Sequence, residues 1–322
     1  MRSVKLANTD LTASSLGFGC SALLGDNTRT EGLQLLHTAY DEGLNYFDVA
    51  RVYGYGEAER LVGEFAKGKR SRIVITTKFG IRPLISIAGA GYARTLVRNL
   101  MRFSPSLRNR IGRQARSAVS HGRFGAAEAR DSLETSLRVL GTDYIDIFLM
   151  HDCSLGDISD DLLVFLSRAR AEGKIRYFGV ATEAEEIAKI QAHRPEFALV
   201  MQFRNSVLHR NLEALGEPGG AVITHGALSG SYVALREYLA RGREFAARWS
   251  SCLQADLSQP TELARIMLNY AVHANRWGPV IFSSRQVESI KNNAKGVAED
   301  PYSKEQLEAF VALAKQSGVQ PL

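Results

Sequence analysis

The sequence predicts an α/β chain closed into one (β/α)8 TIM barrel. Three observations predict it. Short apolar segments alternate with amphipathic ones from end to end. There are eight of the apolar segments, and most are apolar on both faces, as parallel strands buried between two layers must be. Helical patterns separate them, so the β/α count is eight, which favours a closed barrel over an open sheet.

The eight strands are expected at SLGFGC (15–20), NYFDVA (45–50), RIVITTKFG (72–80), DYIDIFLMH (143–151), IRYFGVAT (175–182), FALVMQF (197–203), AVITHG (221–226) and GPVIFSS (278–284). Each is rich in Val, Ile, Phe or Tyr and bounded by Gly, Asp or Asn. Helices are expected at 30–43, with a Thr cap, and at 57–68, 126–141 and 160–173. All four run out at a glycine, the residue that most easily takes a left-handed stop. A further helix, 260–274, carries Pro260 near its start, where a missing N–H costs nothing. Residues 2–14 read as a hairpin closing the bottom of the barrel, and 303–316 as an extra C-terminal helix.

One interruption breaks the alternation. Residues 81–127 separate the third strand from its helix and contain nine Arg but no Asp, Glu or Lys. The formal charge of the whole chain is +6, so its basic character belongs to this segment and the remainder is slightly acidic. Loops of this length are functional or disordered, and this one leaves a strand at the end where barrels carry active sites. The whole of 1–322 reads as one barrel domain with 81–127 a basic insertion at the active-site face. Three readings of the insertion stay open: a lid over substrate, an attractor for an acidic substrate, partner or anionic membrane surface, and a solvated excursion. No nucleic-acid module accompanies the arginines, so no nucleic acid is expected.

Composition removes other classes. At 45% hydrophobic and 23% charged, the chain has ordinary globular composition. Three cysteines, none in a CxxC, make neither a disulfide framework nor a metal knuckle. Cys20 and Cys153 fall at strand ends, near the expected pocket mouth, and read as inert small hydrophobes. MRSVKLANTD lacks an apolar signal core, and no apolar run approaches the roughly 18 residues of a membrane helix. The expected compartment is the cytoplasm. A GxGxxA at 17–22 imitates a dinucleotide fingerprint, but it runs into LLGDNTRTEG rather than directly into a helix. It is read as a bend at the barrel mouth.

Four polar residues sit where strands end: Asp48, Tyr53 in the following loop, Lys78 and His151. Singly, Asp48 reads as a helix or turn cap, Lys78 as a rim cation and His151 as a satisfied core histidine. Together on neighbouring strands of a barrel they converge at one mouth, where buried charge is costly unless paired or functional. The types suit carbonyl reduction. A tyrosine supplies the proton if an ammonium brings its pKa down, a carboxylate anchors the ammonium, and a histidine orients the carbonyl oxygen.

FDVA-RVYGYGEAERLVGEF, ITTKFG, SLETSLRVLGTDYIDIFLMHD and EGKIRYFGVAT resemble the corresponding segments of the aldo-keto reductase family, and the likeness spans nearly the whole chain outside 81–127. The resemblance implies an enzyme, an NADP(H)-dependent oxidoreductase interconverting a carbonyl (aldehyde, ketone or sugar) and an alcohol. Tyr53 would be its general acid/base, Lys78 its tuner, Asp48 its anchor and His151 the group that orients the oxygen. It implies NADPH or NADH as cofactor, with NADP(H) preferred over NAD(H) on the phosphate-site segment IFSSRQVESIKNN, and a small-molecule substrate. The family's Ser-Asn pair that holds the nicotinamide carboxamide reads Ala181-Thr182 here, so Thr182 keeps a hydroxyl and the amide is gone; Gln202 matches the family's glutamine. His225 stands where many members stack an aromatic. Ser283, Ser284 and Arg285 resemble the 2′-phosphate site at a helix start, with Ser289 and Asn293 following at helical spacing towards the adenine. Two alternatives remain beside this reading: a lyase or dehydratase using bound NADP transiently, and a cofactor-binding regulatory or redox-sensing subunit docking through the insertion.

Overall fold

The computed structural model describes residues 1–24, 27–81 and 122–321. Most of the basic insertion, 82–121, therefore lies outside the described residues, as do its three readings.

Eight parallel strands close into a ring in the order β10-β3-β4-β5-β6-β7-β8-β9. They are β3 (Leu16–Gly19), β4 (Tyr46–Asp48), β5 (Val74–Phe79), β6 (Ile145–His151), β7 (Ile175–Ala181), β8 (Val200–Arg204), β9 (Ala221–His225) and β10 (Val280–Phe282). Every expected strand is present; each is trimmed within its expected bounds except β8, which starts later and runs one residue further, to Arg204. The ring closes where β10 pairs with β3, Val280 opposite Leu16 and Phe282 opposite Phe18. Ahead of it, β1 (Ser3–Lys5) and β2 (Thr12–Ser14) form the antiparallel hairpin. The hairpin buries Leu6 and Leu11 against Val74 and Ala221 at the entry end of the strands.

Side-chain parity builds two layers. Successive residues of a strand face opposite sides. On β6, Ile147 and Leu149 join Tyr46, Val200, Ile223 and Ile281 inside the barrel. Phe148 and Met150 turn outward with Phe18, Phe47 and Phe79 into the layer beneath the helices. The two layers are thus made by the same strands, and each needs its residue size. Gly179 shows this at β7: a Cβ there would lie 1.9 Å from the Val200 carbonyl oxygen, so only glycine lets β7 and β8 approach.

The outer helices follow the expected places. The first spans Arg29–Asp41, and its cap is Thr28 rather than Thr30: the Thr28 hydroxyl accepts from the Glu31 N–H and the Glu31 carboxylate answers at the Thr28 N–H, a capping box. Helices Ala58–Ala66, Ala126–Leu140 and Asp160–Ala171 come next. The four expected stop glycines, Gly43, Gly68, Gly141 and Gly173, all have positive φ. Pro260–Ala274 starts at its proline, and Ser303 caps Lys304–Gln316. Helices Ala184–His193, Ser229–Ala240 and Arg243–Leu253 were not singled out from the sequence. The last two bury Leu235, Trp249 and Leu253 with Phe310 in a separate apolar cluster under the C-terminal helix. No described helix is long and apolar enough to cross a membrane.

Candidate active site

The parity that builds the core also aims the polar residues. On β5, Val74, Thr76 and Lys78 share the inward face. On β4 it is Tyr46 and Asp48, on β6 Leu149 and His151, on β8 Val200 and Gln202, on β9 Ile223 and His225. Apart from Thr76, whose hydroxyl bonds Tyr46 Oη, the deeper inward residues named are apolar, and each inward face turns polar toward the carboxyl end, with Arg204 following Gln202 on β8. These polar ends meet at one mouth. They line one cavity of about 430 Å³, together with Tyr53, Thr182 and Ser283.

Lys78 is the hub. It is 3% exposed, and its Nζ donates to both Asp48 carboxylate oxygens at 2.7 Å, to the Val49 carbonyl at 3.4 Å and to Tyr53 Oη at 3.4 Å. The ammonium also lies 5.1 Å from the centre of the Tyr53 ring. Burial pulls the Lys78 pKa down, but the charge and hydrogen bonds of Asp48 and Tyr53 outweigh it, and the net direction is up. Lys78 stays an ammonium.

Tyr53 opens a short 3-10 turn, Tyr53–Gly56, and its ring stands edge-on to His151 with centroids 6.0 Å apart. The expected lowering of its pKa is not the net result. Lys78 does pull it down, yet burial is the larger effect and carries it above 10. A phenol in this pocket is held protonated.

His151 is driven down to about 3, by burial first and then by Lys78 and His225. His225 falls to about 4, again chiefly through burial. Both imidazoles are neutral at pH 7. Their linkage has a definite sign: unfolded histidines titrate near 6.5, so between about pH 6.5 and 4 the unfolded chain binds more protons than the native one. Stability should fall as pH drops through that window. Urea midpoints measured from pH 7 to pH 4.5 test this, and His151→Gln should flatten the slope; an unchanged slope would show that the imidazole does not carry it.

Gln202 donates from Nε2 to Asp48 Oδ1 at 3.1 Å, while its Oε1 is buried with no hydrogen-bond partner. A buried acceptor left open is costly, and it fits a ligand that brings an N–H, as a carboxamide does. Gly19 adds to the fit: a Cβ there would sit 2.4 Å from Ser283 Oγ, so the glycine keeps that wall of the cavity open. Thr182 is fixed beside Gln202 by its N–H bond to the Gln202 carbonyl at 3.1 Å.

The expected phosphate residues divide. Ser283 lines the cavity; Ser284, Arg285, Ser289 and Asn293 do not. The helix Val287–Glu299 begins after Gln286, so Ser283 and Ser284 precede its first turn instead of forming it. Ser284 Oγ bridges the Gln286 N–H and carbonyl, and Ser289 Oγ donates to Gln286 Oε1. The N-terminus of that helix has no side-chain cap. Cys20 and Cys153 are both buried and neither lines the cavity; burial raises the Cys153 thiol to about 12. Asp152, Glu183 and Arg204 do line it and were not foreseen. The only signal for them was position, immediately beyond or at a strand end.

Across residues 15–315 the chain matches the family model for the Aldo/keto reductase family. The chain belongs to the aldo/keto reductase family. Members are oxidoreductases that act on carbonyls with a nicotinamide cofactor. Among relatives of this aldo/keto reductase, the "Uncharacterized oxidoreductase YqkF" of Bacillus subtilis (strain 168) is 22% identical over 333 residues, covering 98% of this chain and 97% of that one. The "NADH-specific methylglyoxal reductase" of Escherichia coli (strain K12) is 28% identical over 224 residues, covering 66% of this chain and 61% of that one. The "Probable aldo-keto reductase 1" of Glycine max is matched over only 53% of its length. In solved structures the same fold recurs in the holo form of aldo-keto reductase AKR11C1 from Bacillus halodurans, with a TM-score of 0.72 at 22% identity over 99% of this chain and 98% of that one.

Proposed function

We propose that this aldo/keto reductase is an NADP(H)-dependent enzyme that interconverts a carbonyl and an alcohol, with Tyr53 as general acid/base. The observation that carries the reading is the chain Asp48–Lys78–Tyr53, held at 2.7 and 3.4 Å with His151 facing Tyr53 across one cavity. A nicotinamide, when bound, would supply or accept the hydride. Tyr53 Oη, protonated before reaction, gives its proton to the developing alkoxide. Lys78 then steadies the tyrosinate left behind, and Asp48 keeps the ammonium in place. His151, neutral, offers an N–H to the carbonyl oxygen without competing as an acid. Gln202 Oε1 and the Thr182 hydroxyl would hold the carboxamide, and His225 would lie against the ring.

The phosphate end of the reading rests on Ser283, Ser284 and Arg285 beside an uncapped helix N-terminus, a ready place for an anion, with Ser289 and Asn293 one and two turns further on. Arg285 brings a forked donor suited to a 2′-phosphate. The purified protein should oxidise NADPH in the presence of aldehydes or ketones, with a higher kcat/KM than for NADH. Arg285→Ala should lower the NADPH-to-NADH ratio about tenfold, the size of one charge-assisted contact. Equal use of both cofactors by the wild type would overturn the NADP assignment and leave the carbonyl chemistry standing; no oxidation of either cofactor with any carbonyl would overturn both.

A further inference from the structure

Resting on that reading, we infer that Asp152 and Glu183 select a carbonyl substrate that carries a cationic amine on the part of the molecule emerging past His151. The charges lining the cavity lead there. Asp48 and Lys78 neutralise each other at 2.7 Å. His151 and His225 are uncharged at neutral pH. What remains is Asp152 and Glu183 against Arg204.

The two carboxylates are neighbours by construction. His151 ends β6 opposite Ala181 of β7, and the Asp152 N–H donates to the Ala181 carbonyl at 2.7 Å. Glu183 follows Ala181 by two residues. Asp152 takes a left-handed φ of 56°, which swings the chain away from the strand direction immediately after His151. Nearby acids are already spent: Asp157 accepts from the Ser154 N–H and hydroxyl, and Glu186 from Lys189 and the Leu155 N–H. Asp152 and Glu183 have no carboxylate hydrogen bond or ion pair among the described residues, and both remain solvent-accessible at the rim. Arg204 does not answer them. It makes no ion pair with either carboxylate among the described residues, and its stem lies against Gly226 after β9, where a Cβ would be 3.0 Å from Arg204 Cγ. Burial first, and the Glu183 charge second, push the Asp152 carboxyl up; the second contribution is the like-charge part that a cation beside the pair would relieve. The cavity below is one built for ligands, since Gln202 Oε1 waits in it unpartnered.

A matched pair of aldehydes tests this. 4-(Trimethylammonio)benzaldehyde and 4-tert-butylbenzaldehyde share a shape and differ by one charge. Their kcat/KM ratio is measured with NADPH and NADH in the wild type and in the Asp152→Asn/Glu183→Gln double variant. Comparing the two proteins cancels the intrinsic reactivity of the aldehydes. The cation-to-neutral ratio should fall by about tenfold or more in the double variant, and in the wild type it should fall as salt rises from low ionic strength to about 0.5 M. The salt arm needs no variant to fold. If the ratio is the same in both proteins and insensitive to salt while both aldehydes are reduced, the cation preference is overturned and the oxidoreductase reading stands. If neither aldehyde nor any other carbonyl is reduced with either cofactor, both fall together.

Discussion

Tyr53→Phe is expected to lower kcat by about 10²- to 10⁴-fold, the range a positioned proton donor contributes, with little change in cofactor affinity. The reason lies in what the substitution leaves behind. The ring keeps its edge-on contact with His151 and its place beside the Lys78 ammonium. Lys78 keeps both Asp48 oxygens. Only Oη is removed, together with one 3.4 Å contact. Folding and the cofactor surface are therefore nearly untouched, and the loss falls on the step that needs a proton. Steady-state kcat with a reducible aldehyde, beside nucleotide affinity from protein fluorescence quenching, separates the two. A variant that retains wild-type turnover would remove Tyr53 from the proton transfer.

Asp48→Leu should cost about 3–5 kcal/mol of stability, because it strands an ammonium that is 3% exposed without its counter-charge. Lys78→Met should cost a similar amount by stranding Asp48. The double variant should be destabilised by clearly less than the sum, since replacing both charges with apolar groups removes the desolvation along with the attraction. Denaturant midpoints for the four proteins give the coupling directly. Additive losses would mean that the two side chains do not depend on one another. All three variants should be inactive, so in the single variants stability and turnover fall together, whereas Tyr53→Phe loses turnover alone.

The barrel was legible because its signals repeat. Apolar runs such as IFLM and AVIT can be satisfied only when both faces are buried, and eight of them in alternation with helices allow few architectures. Within the site, Asp48, Lys78 and His151 were legible for a related reason: each is a polar residue at the end of a largely apolar strand, while Gln202 was legible from its family resemblance. Residues beyond the strand end escape this logic. The two-residue period stops at His151, and the direction of Asp152 is set by a left-handed backbone turn that the letters D and C do not announce. The direction of the Tyr53 pKa was equally hidden. Its sign is decided by how much of the phenol is buried, a property of the assembled pocket and not of the YGYG turn. The start of the helix Val287–Glu299 was misplaced because SSRQ offers several polar residues of cap type, and only the backbone distinguishes Gln286 as the one at the boundary.

The pairing of β10 with β3 has a consequence for how the protein comes into being. Leu16 and Phe18 are synthesised before the six strands that separate them in sequence from their partners Val280 and Phe282. Until those partners arrive, β3 offers a bare row of backbone donors and acceptors, flanked by large aromatic side chains, to any other strand it meets. The last strand is therefore what removes the sticky edge. A chain that stops short of Val280 would keep most of the polar mouth and yet leave β3 and β9 as open edges, far more prone to join a neighbour.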